Sequence, residues 1–338
     1  MARRGGWTRR GSRTRFRYYD ARGNRITDTA KLARVDELRI PPAWRDVWIS
    51  PRARAKLQAT GVDSAGRRQY LYHPEFRARQ EQAKYDKLIR FAERLPELRS
   101  VMSEHIELEP LERDWTSAVA LRIIDLMWFR PGSERYARES QTYGVTTLRK
   151  RHVDVRRNRV CFTYEGKGRV QIRRAVVDDE LAGAVRELLA FPGSTRLFRY
   201  RLDDETFNLT SRTLNAYVRE HLGPEFTAKD FRTWGGTLAA AITFAERDIP
   251  QTPTEAKRTV AAVMRAVAER LGNTPAVART SYVSPAVVEQ YLDGRTIEDF
   301  RPRHLRVVGA RDATLDPEEQ ALVSLLRSWR IRRAREAA

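Results

Sequence analysis

The chain has 338 residues, 41% hydrophobic and 32% charged, with 64 Lys and Arg against 44 Asp and Glu, a net charge of +20 at pH 7. That composition supports one large or two ordinary domains with a sizeable core and disfavours intrinsic disorder; no apolar run approaches the roughly 18 residues of a membrane span. No apolar secretory stretch follows the basic start Met1 to Trp7, and the single Cys161 can form no internal disulfide, so the expectation is a cytoplasmic protein of a reducing compartment.

An excess of cations in a folded chain points to a polyanionic partner, because neutralising phosphates releases condensed counterions. Nucleic acid ranks ahead of an acidic membrane surface. Only eight lysines occur, at 31, 56, 84, 87, 150, 167, 229 and 257. Each therefore stands out against an arginine background, and an ammonium can give up a proton where a guanidinium cannot.

In chain order, residues 1–13 are Arg/Gly-rich and expected to be a mobile lead-in. Phe16 to Tyr19 alternates ahead of the turn signal Asp20 to Asn24, which reads as a hairpin. A short helix follows, with Asp28 as N-cap and its last turn near Leu38. Trp44 to Ile49 reads as a strand and Gln58 to His73 as a second hairpin turning near Asp63 to Gly66. Past Pro74 the period becomes helical through Phe76 to Leu95. This predicts a β-rich domain over 1–80 and a second domain over 81–338.

The second domain opens with an amphipathic helix, Asp114 to Trp128, whose stripe is Trp115, Val119, Ile123 and Leu126. Strands are expected at His152 to Arg156, Arg159 to Tyr164 and Arg169 to Val176, with Lys167 at a hairpin tip. Helices follow near 178–190, 203–221, 229–247, 253–271, 284–292 and 315–335, with Asp178 and Asp179 capping the first. The fold class is thus α+β: a small β-rich domain and a larger, mainly helical one with a three-stranded antiparallel sheet.

The histidines at 73, 105, 152, 221 and 304 lack metal-ligand spacing and are assigned to surfaces and ordinary hydrogen bonds; no metal or cofactor is indicated. Gly166-Lys167-Gly168 lacks the rest of a phosphate-loop fingerprint. What remains is a spaced set: Arg130, Lys167, Arg232 and Tyr282, with Asn273 nine residues before the tyrosine. Phosphodiester transfer without metal needs such parts: a nucleophile, cations around the nonbridging oxygens and an acid for the departing alkoxide.

The contexts of these residues resemble those of the type IB DNA topoisomerases, in particular the short bacterial and poxvirus-like branch. The pieces that carry the resemblance are Gly66 to Tyr72, Phe129-Arg130-Pro131-Gly132 with Tyr136, Tyr143 to Leu148, Tyr164-Glu165-Gly166-Lys167, Lys229 to Gly235, and Asn273-Thr274-Pro275 leading to Ser281-Tyr282. The resemblance implies Tyr282 as nucleophile, Arg130 and Arg232 on the scissile phosphate, and Lys167 as general acid to the 5′-oxygen. Lys229 would assist there or in the groove. Asn273 stands where many members carry histidine; a neutral amide can still donate to a nonbridging oxygen. Gln69, Tyr70, Tyr72 and Tyr136 match positions at which the family touches DNA.

The resemblance therefore implies a monomeric two-domain clamp on double-stranded DNA, with no membrane role. It would relax supercoils through a 3′-phosphotyrosyl intermediate without ATP or metal, in the bacterial nucleoid. Two alternatives stay open: a tyrosine site-specific recombinase, disfavoured by Lys229 and by the Gln-Tyr-x-Tyr segment, and a non-catalytic nucleoid DNA-binding protein, which would form no covalent adduct.

Overall fold

A computed structural model describes residues 5–12, 15–301 and 315–336 of the protein. The chain forms two compact units, Met1–Asp86 and Lys87–Ala338.

The first unit is one antiparallel sheet, β1 (Trp7–Ser12), β2 (Arg15–Tyr19), β3 (Arg45–Ile49), β4 (Leu57–Val62) and β5 (Arg68–Tyr72), in the order β2-β1-β3-β4-β5. Helix α1 (Thr29–Glu37) lies between β2 and β3 in the chain, and the Asp28 carboxylate caps it by accepting from Lys31 N at 2.8 Å. Cross-strand partners share a face of a sheet. The row Trp7–Ile49–Ala59–Leu71 thus turns one way and joins Ile26, Val35, Ile40 and Val47 in the core.

Two expectations fail here. Residues 7–12, expected within a mobile lead-in, are strand β1; residues 1–4 and 13 lie outside the described residues. The hairpin placed around Asp20 to Asn24 is instead β1–β2. Asp20 to Asn24 is a turn in which the Asp20 carboxylate accepts from Arg22 N and Asn24 N at 2.8 and 2.9 Å, and a single bridge, Tyr19 to Arg25, spans it. The reason is non-local: β1 is held by β3, and Arg9, the inward neighbour of Trp7, donates to the carbonyls of Ile40, Pro41 and Trp44 at 3.2, 3.0 and 2.7 Å.

Helix α2 (Pro74–Ile106) outruns the expected Leu95 and passes through Pro96. Proline removes one helical hydrogen bond. Burial of Leu95, Leu98, Met102 and Ile106 carries the helix across it.

In the second unit, α3 (Arg113–Met127) runs through the core. Trp115, Val119 and Ile123 are buried as the stripe predicts, but Leu126 is 45% exposed, and every residue from Trp115 to Leu121 is buried. The first turns of α3 are enclosed, so no single apolar stripe marks them, and the enclosure ends before Leu126. After α4 (Glu134–Glu139) come β6 (Val153–Arg156), β7 (Arg159–Gly166) and β8 (Val170–Val177), an antiparallel sheet in that order whose β7–β8 turn carries Lys167.

Helix α5 (Asp179–Ala190) is capped by Asp178, which accepts from Leu181 N at 2.9 Å. The expected helix at 203–221 is in part a hairpin. Strands β9 (Arg199–Leu202) and β10 (Glu205–Asn208) turn through Asp203 at φ 51, and only then does α6 (Ser211–Leu222) begin. The Asp203-Asp204 pair was the turn signal in the sequence. Among the described residues the unit continues through α-helices α7 (Ala228–Ala245), α8 (Pro253–Leu271), α9 (Pro275–Ser281), α10 (Pro285–Leu292) and α11 (Pro317–Glu336).

One histidine keeps an ordinary hydrogen bond but lies off the surface. His152 is buried, with Nδ1 accepting from Arg149 N at 3.0 Å, and burial together with Arg151 and Arg149 lowers its pKa to about 4. His304 lies outside the described residues.

Candidate active site

Arg130 owes its position to how α3 ends. Trp128 takes the left-handed conformation (φ 54) and closes the helix by donating from its N–H to Ile124 O at 2.8 Å. The chain then turns through Pro131 and Gly132, the latter at φ +109, where a side chain would be strained. This loop is tied to the segment after α4: Val145 N donates to Arg130 O at 2.9 Å and Thr146 N to Pro131 O at 2.7 Å. Gly144 permits the approach, since a Cβ there would lie 2.5 Å from Arg130 O.

Arg232 projects from the first turns of α7 and is 2% exposed. Its guanidinium donates to Trp128 O and, at 2.8 Å, to Leu271 O at the end of α8. Its Nε has no partner among the described residues. Burial, then repulsion from Arg130, lowers the Arg232 pKa to about 10, so the side chain remains a cation at neutral pH. Gly272 ends α8 at φ 62 and presents Asn273, whose Oδ1 accepts from Arg130 Nη2. The Asn273 Nδ2 is buried and unpartnered among the described residues. A buried donor without an acceptor costs about 1–3 kcal/mol, and here Arg232 and Asn273 each carry one among the described residues.

Tyr282 ends α9, its N–H donating to Ala278 O at 3.0 Å. The Thr237 hydroxyl, on α7, shares its proton between Thr233 O (2.8 Å) and Tyr282 O (3.0 Å) and accepts from Ser284 N (3.2 Å). The Tyr282 side chain is buried, and its Oη accepts from Arg130 Nη1 at 3.2 Å while the Arg232 guanidinium lies 5.0 Å from the ring centroid. Burial disfavours the phenolate, but the charges of Arg232 and Arg130 and their hydrogen bonds outweigh it and lower the Tyr282 pKa to about 8. Four of the five residues singled out as chemical, Arg130, Arg232, Asn273 and Tyr282, are thus brought together.

Lys167 stands apart from those four. It is exposed at the β7–β8 tip, with Nζ 5.5 Å from the Tyr136 ring centroid. It does line the same cleft, a space of about 420 Å³ bounded also by Arg130, Tyr136, Lys229, Arg232 and Tyr282. Tyr136 is carried by α4, which Arg196 anchors through a two-pronged pair with Glu134 at 2.9 and 2.7 Å. In the other unit, Tyr70 and Tyr72 are exposed on one face of β5 with their rings stacked at 6.3 Å. Gln69 points to the opposite face, and its amide donates to Asp63 at 2.8 Å. The grouping of Gln69 with the two tyrosines is therefore split by strand alternation.

Three supporting positions escaped the sequence reading. A Cβ on Gly235 would sit 2.2 Å from the Trp128 indole, and one on Gly236 would sit 3.0 Å from Tyr282 Cβ and O. With Thr237, these make α7 a rail on which the Arg232 acceptor Trp128 and the Tyr282 backbone are both seated. A glycine doublet inside a helical pattern was the available signal of close approach.

A helical unit that holds a phenol of lowered pKa between two arginines, in a cleft lined by further cations, is built to handle a phosphate ester. The chain is similar to known proteins. The family model described as eukaryotic DNA topoisomerase I, catalytic core, matches residues 73–301, and that of the bacterial DNA topoisomerase IB N-terminal domain matches residues 15–63. DNA topoisomerase 1B of Acanthamoeba polyphaga mimivirus is 31% identical over 285 residues, covering 82% of this chain and 84% of its own length. DNA topoisomerase 1B of Vaccinia virus (strain Copenhagen) is 22% identical over 275 residues, covering 77% and 81%. A solved XerH site-specific recombinase bound to its difH substrate covers 56% of this chain and 48% of its own, at 14% identity and a TM-score of 0.35.

The chain belongs to the type IB DNA topoisomerases, enzymes of the isomerase class that act on DNA.

Proposed function

We propose that the chain relaxes supercoiled duplex DNA with Tyr282 as the attacking group. Tyr282 Oη gives its proton to solvent and bonds to phosphorus; the bond from phosphorus to the 5′-oxygen breaks, and Lys167 delivers a proton to that oxygen. Arg130 and Arg232 hold the nonbridging oxygens, and Asn273 Nδ2 donates to one of them. Lys229 sits beside the same oxygens or in the groove. The tyrosyl 3′-phosphate link keeps the energy of the broken bond, so the 5′-hydroxyl end rotates and reattacks without ATP or a metal. Tyr136, Tyr70 and Tyr72 contact the duplex, with Gln69 contributing only if its bond to Asp63 opens. The enzyme works as a monomer closed on DNA in the bacterial cytoplasm.

The observation that supports this most is the Arg130 guanidinium, which donates at once to Tyr282 Oη and to Asn273 Oδ1. One cation thereby orders both the nucleophile and a neutral donor around the place a phosphate would occupy. The test is incubation with negatively supercoiled plasmid in EDTA without ATP, beside Tyr282→Phe. The wild type should relax the plasmid and form a denaturation-resistant adduct, and the variant should bind and do neither. An adduct formed by Tyr282→Phe would assign the nucleophile elsewhere.

A further inference from the structure

Four helices of the second unit meet on one buried carboxylate. The sequence Asp316-Pro317-Glu318-Glu319 opens α11 as a capping box. Asp316 Oδ1 accepts from Glu319 N at 2.7 Å, and Glu319 Oε2 accepts from Asp316 N at 3.1 Å. A glutamate is almost never fully buried unless it is paired, and Glu319 is 2% exposed. Its Oε2 also accepts from Arg99 Nη1, on α2, at 2.8 Å; its Oε1 accepts at 2.9 Å from Arg99 Nη2 and at 2.9 Å from Trp234 Nε1, on α7. Each oxygen thus takes two donors, the full capacity of a carboxylate. Arg99 in turn donates from Nε and Nη2 to Asp125, on α3, at 2.9 and 3.3 Å. Burial opposes the Glu319 charge, but Arg99, Trp234 and the Asp316 N–H outweigh it and hold its pKa below the ordinary value.

The helices tied in this way to α11 include the two that carry the arginines of the cleft. Trp234 follows Arg232 by two residues, about 200° round the helix. The indole is therefore buried behind α7, while the guanidinium lines the cleft in front and donates to Trp128 O. Asp125 lies in the last turn of α3, whose closing residue Trp128 supplies that carbonyl and leads to Arg130. Apolar packing is non-directional and leaves a helix free to turn or slide; a charge-assisted hydrogen bond fixes both distance and angle.

We infer that Glu319 is a positioning residue for DNA cleavage: it fixes the rotation of α7 from behind and, through Arg99 and Asp125, the end of α3, so that Arg232 and Arg130 are held at Tyr282. This rests on the proposed reading of the two arginines as holders of the phosphate. It makes α11 part of the catalytic unit, although none of its described residues lines the cleft.

The test uses the full chain. Trp234→Phe keeps an aromatic ring on α7, removes the N–H donor and leaves α11 docked through Arg99. Glu319→Gln replaces one acceptor oxygen by an amide group that only donates. Both should slow single-turnover cleavage at saturating DNA by about 10–10²-fold, the scale of a misplacement near 1 Å. Duplex affinity, read in a Tyr282→Phe background, should stay within about twofold of its unsubstituted value, because the residues that proposal places on DNA are intact. Both should also move the phenolate titration of Tyr282 upward from about 8, since Arg232 retreats from the ring. The double variant should be no slower than Glu319→Gln alone, because Trp234 acts through the carboxylate. Arg327→Gln, which cuts only the exposed pair of α11 with Glu93, should change neither rate nor titration.

A role confined to holding the fold together lowers the melting temperature and leaves the rate and the Tyr282 titration unchanged below the melt. That result in Trp234→Phe would overturn the inference, whatever Glu319→Gln did. So would a double variant in which the two losses multiply, or an equal slowing by Arg327→Gln. The titration needs no turnover. If the unsubstituted enzyme neither relaxed plasmid nor formed an adduct while both variants still moved the Tyr282 titration, the proposed function would fail and the placement of Arg232 by Glu319 would stand.

Discussion

Arg130 Nη1 stands 3.2 Å from Tyr282 Oη, so the proposed nucleophile and a proposed phosphate-binding cation touch in the free protein. With Arg232 beside the ring, the phenol has a pKa of about 8 although it is buried. Cleavage under single-turnover conditions should rise with pH through about 8 and then level. Phenolate absorbance should show one group titrating near there that is missing in Tyr282→Phe and shifted upward in Arg130→Ala. Linkage has a definite sign: the folded pKa lies below the ordinary tyrosine value of 10.0, so the stability it contributes is full above 10 and is lost as pH falls through about 8. A Tyr282 that titrates at or above the ordinary value would show that the arginines do not reach it in solution.

Lys167 has a different kind of placement, exposed at a hairpin tip and apart from the four residues that meet. An acid becomes dispensable when the leaving group needs no proton. Lys167→Ala should therefore cleave ordinary DNA about 10²–10⁴-fold more slowly and a 5′-bridging phosphorothiolate at nearly the normal rate. Equal loss on both substrates would make Lys167 a phosphate binder.

Asn273 should behave as a neutral donor. Asn273→Ala is expected to slow cleavage by up to about 10²–10³, the size of one lost oxyanion donor. Asn273→His should retain much of the rate and gain an extra inflection near pH 6–7, where imidazole titrates. Unchanged cleavage in the Ala variant would leave the unpartnered Nδ2 without a role.

Thr237 touches no proposed reacting atom, yet its hydroxyl brackets the Tyr282 backbone between Tyr282 O and Ser284 N. Thr237→Val keeps the shape and removes the bracket. We expect cleavage to fall by about 10–10²-fold, the scale of a sub-ångström to 1 Å misplacement, with duplex affinity unchanged and with rescue by Thr237→Ser. Equal loss in Ser and Val would point to packing.

Gly235 and Gly183 make a matched pair of helical glycines. A Cβ on Gly183 meets nothing within 4 Å, whereas one on Gly235 collides with the Trp128 indole at 2.2 Å. Gly183→Ala should stabilise the protein by about 0.5–1 kcal/mol and leave cleavage alone. Gly235→Ala should push Trp128 and its carbonyl away from Arg232, lowering cleavage far more than binding. Thermal melts and single-turnover rates on both variants decide it; a neutral Gly235→Ala would show that Trp128 yields at no cost to the site.

Much of this was legible in the chain because local chemistry determines it. Asp28 and Asp178 cap the helices assigned to them, the alternation of Arg159 to Val177 makes a hairpin with Lys167 at its tip, and the ordered motifs around Arg130, Arg232 and Tyr282 mark the family. Other features depended on partners far along the chain. The strand Trp7–Ser12 exists because Trp7 meets Ile49, and α2 crosses Pro96 because its far turns are buried. Leu126 leaves the stripe because the enclosure of α3 ends before it. The meeting of Arg130 with Tyr282 closes a separation of 152 residues. A sequence states which groups are available and how each segment prefers to fold locally; the lowered Tyr282 pKa and the seat that Gly235, Gly236 and Thr237 provide arise from distances of a few ångströms between remote segments. Only packing in the tertiary structure sets those distances.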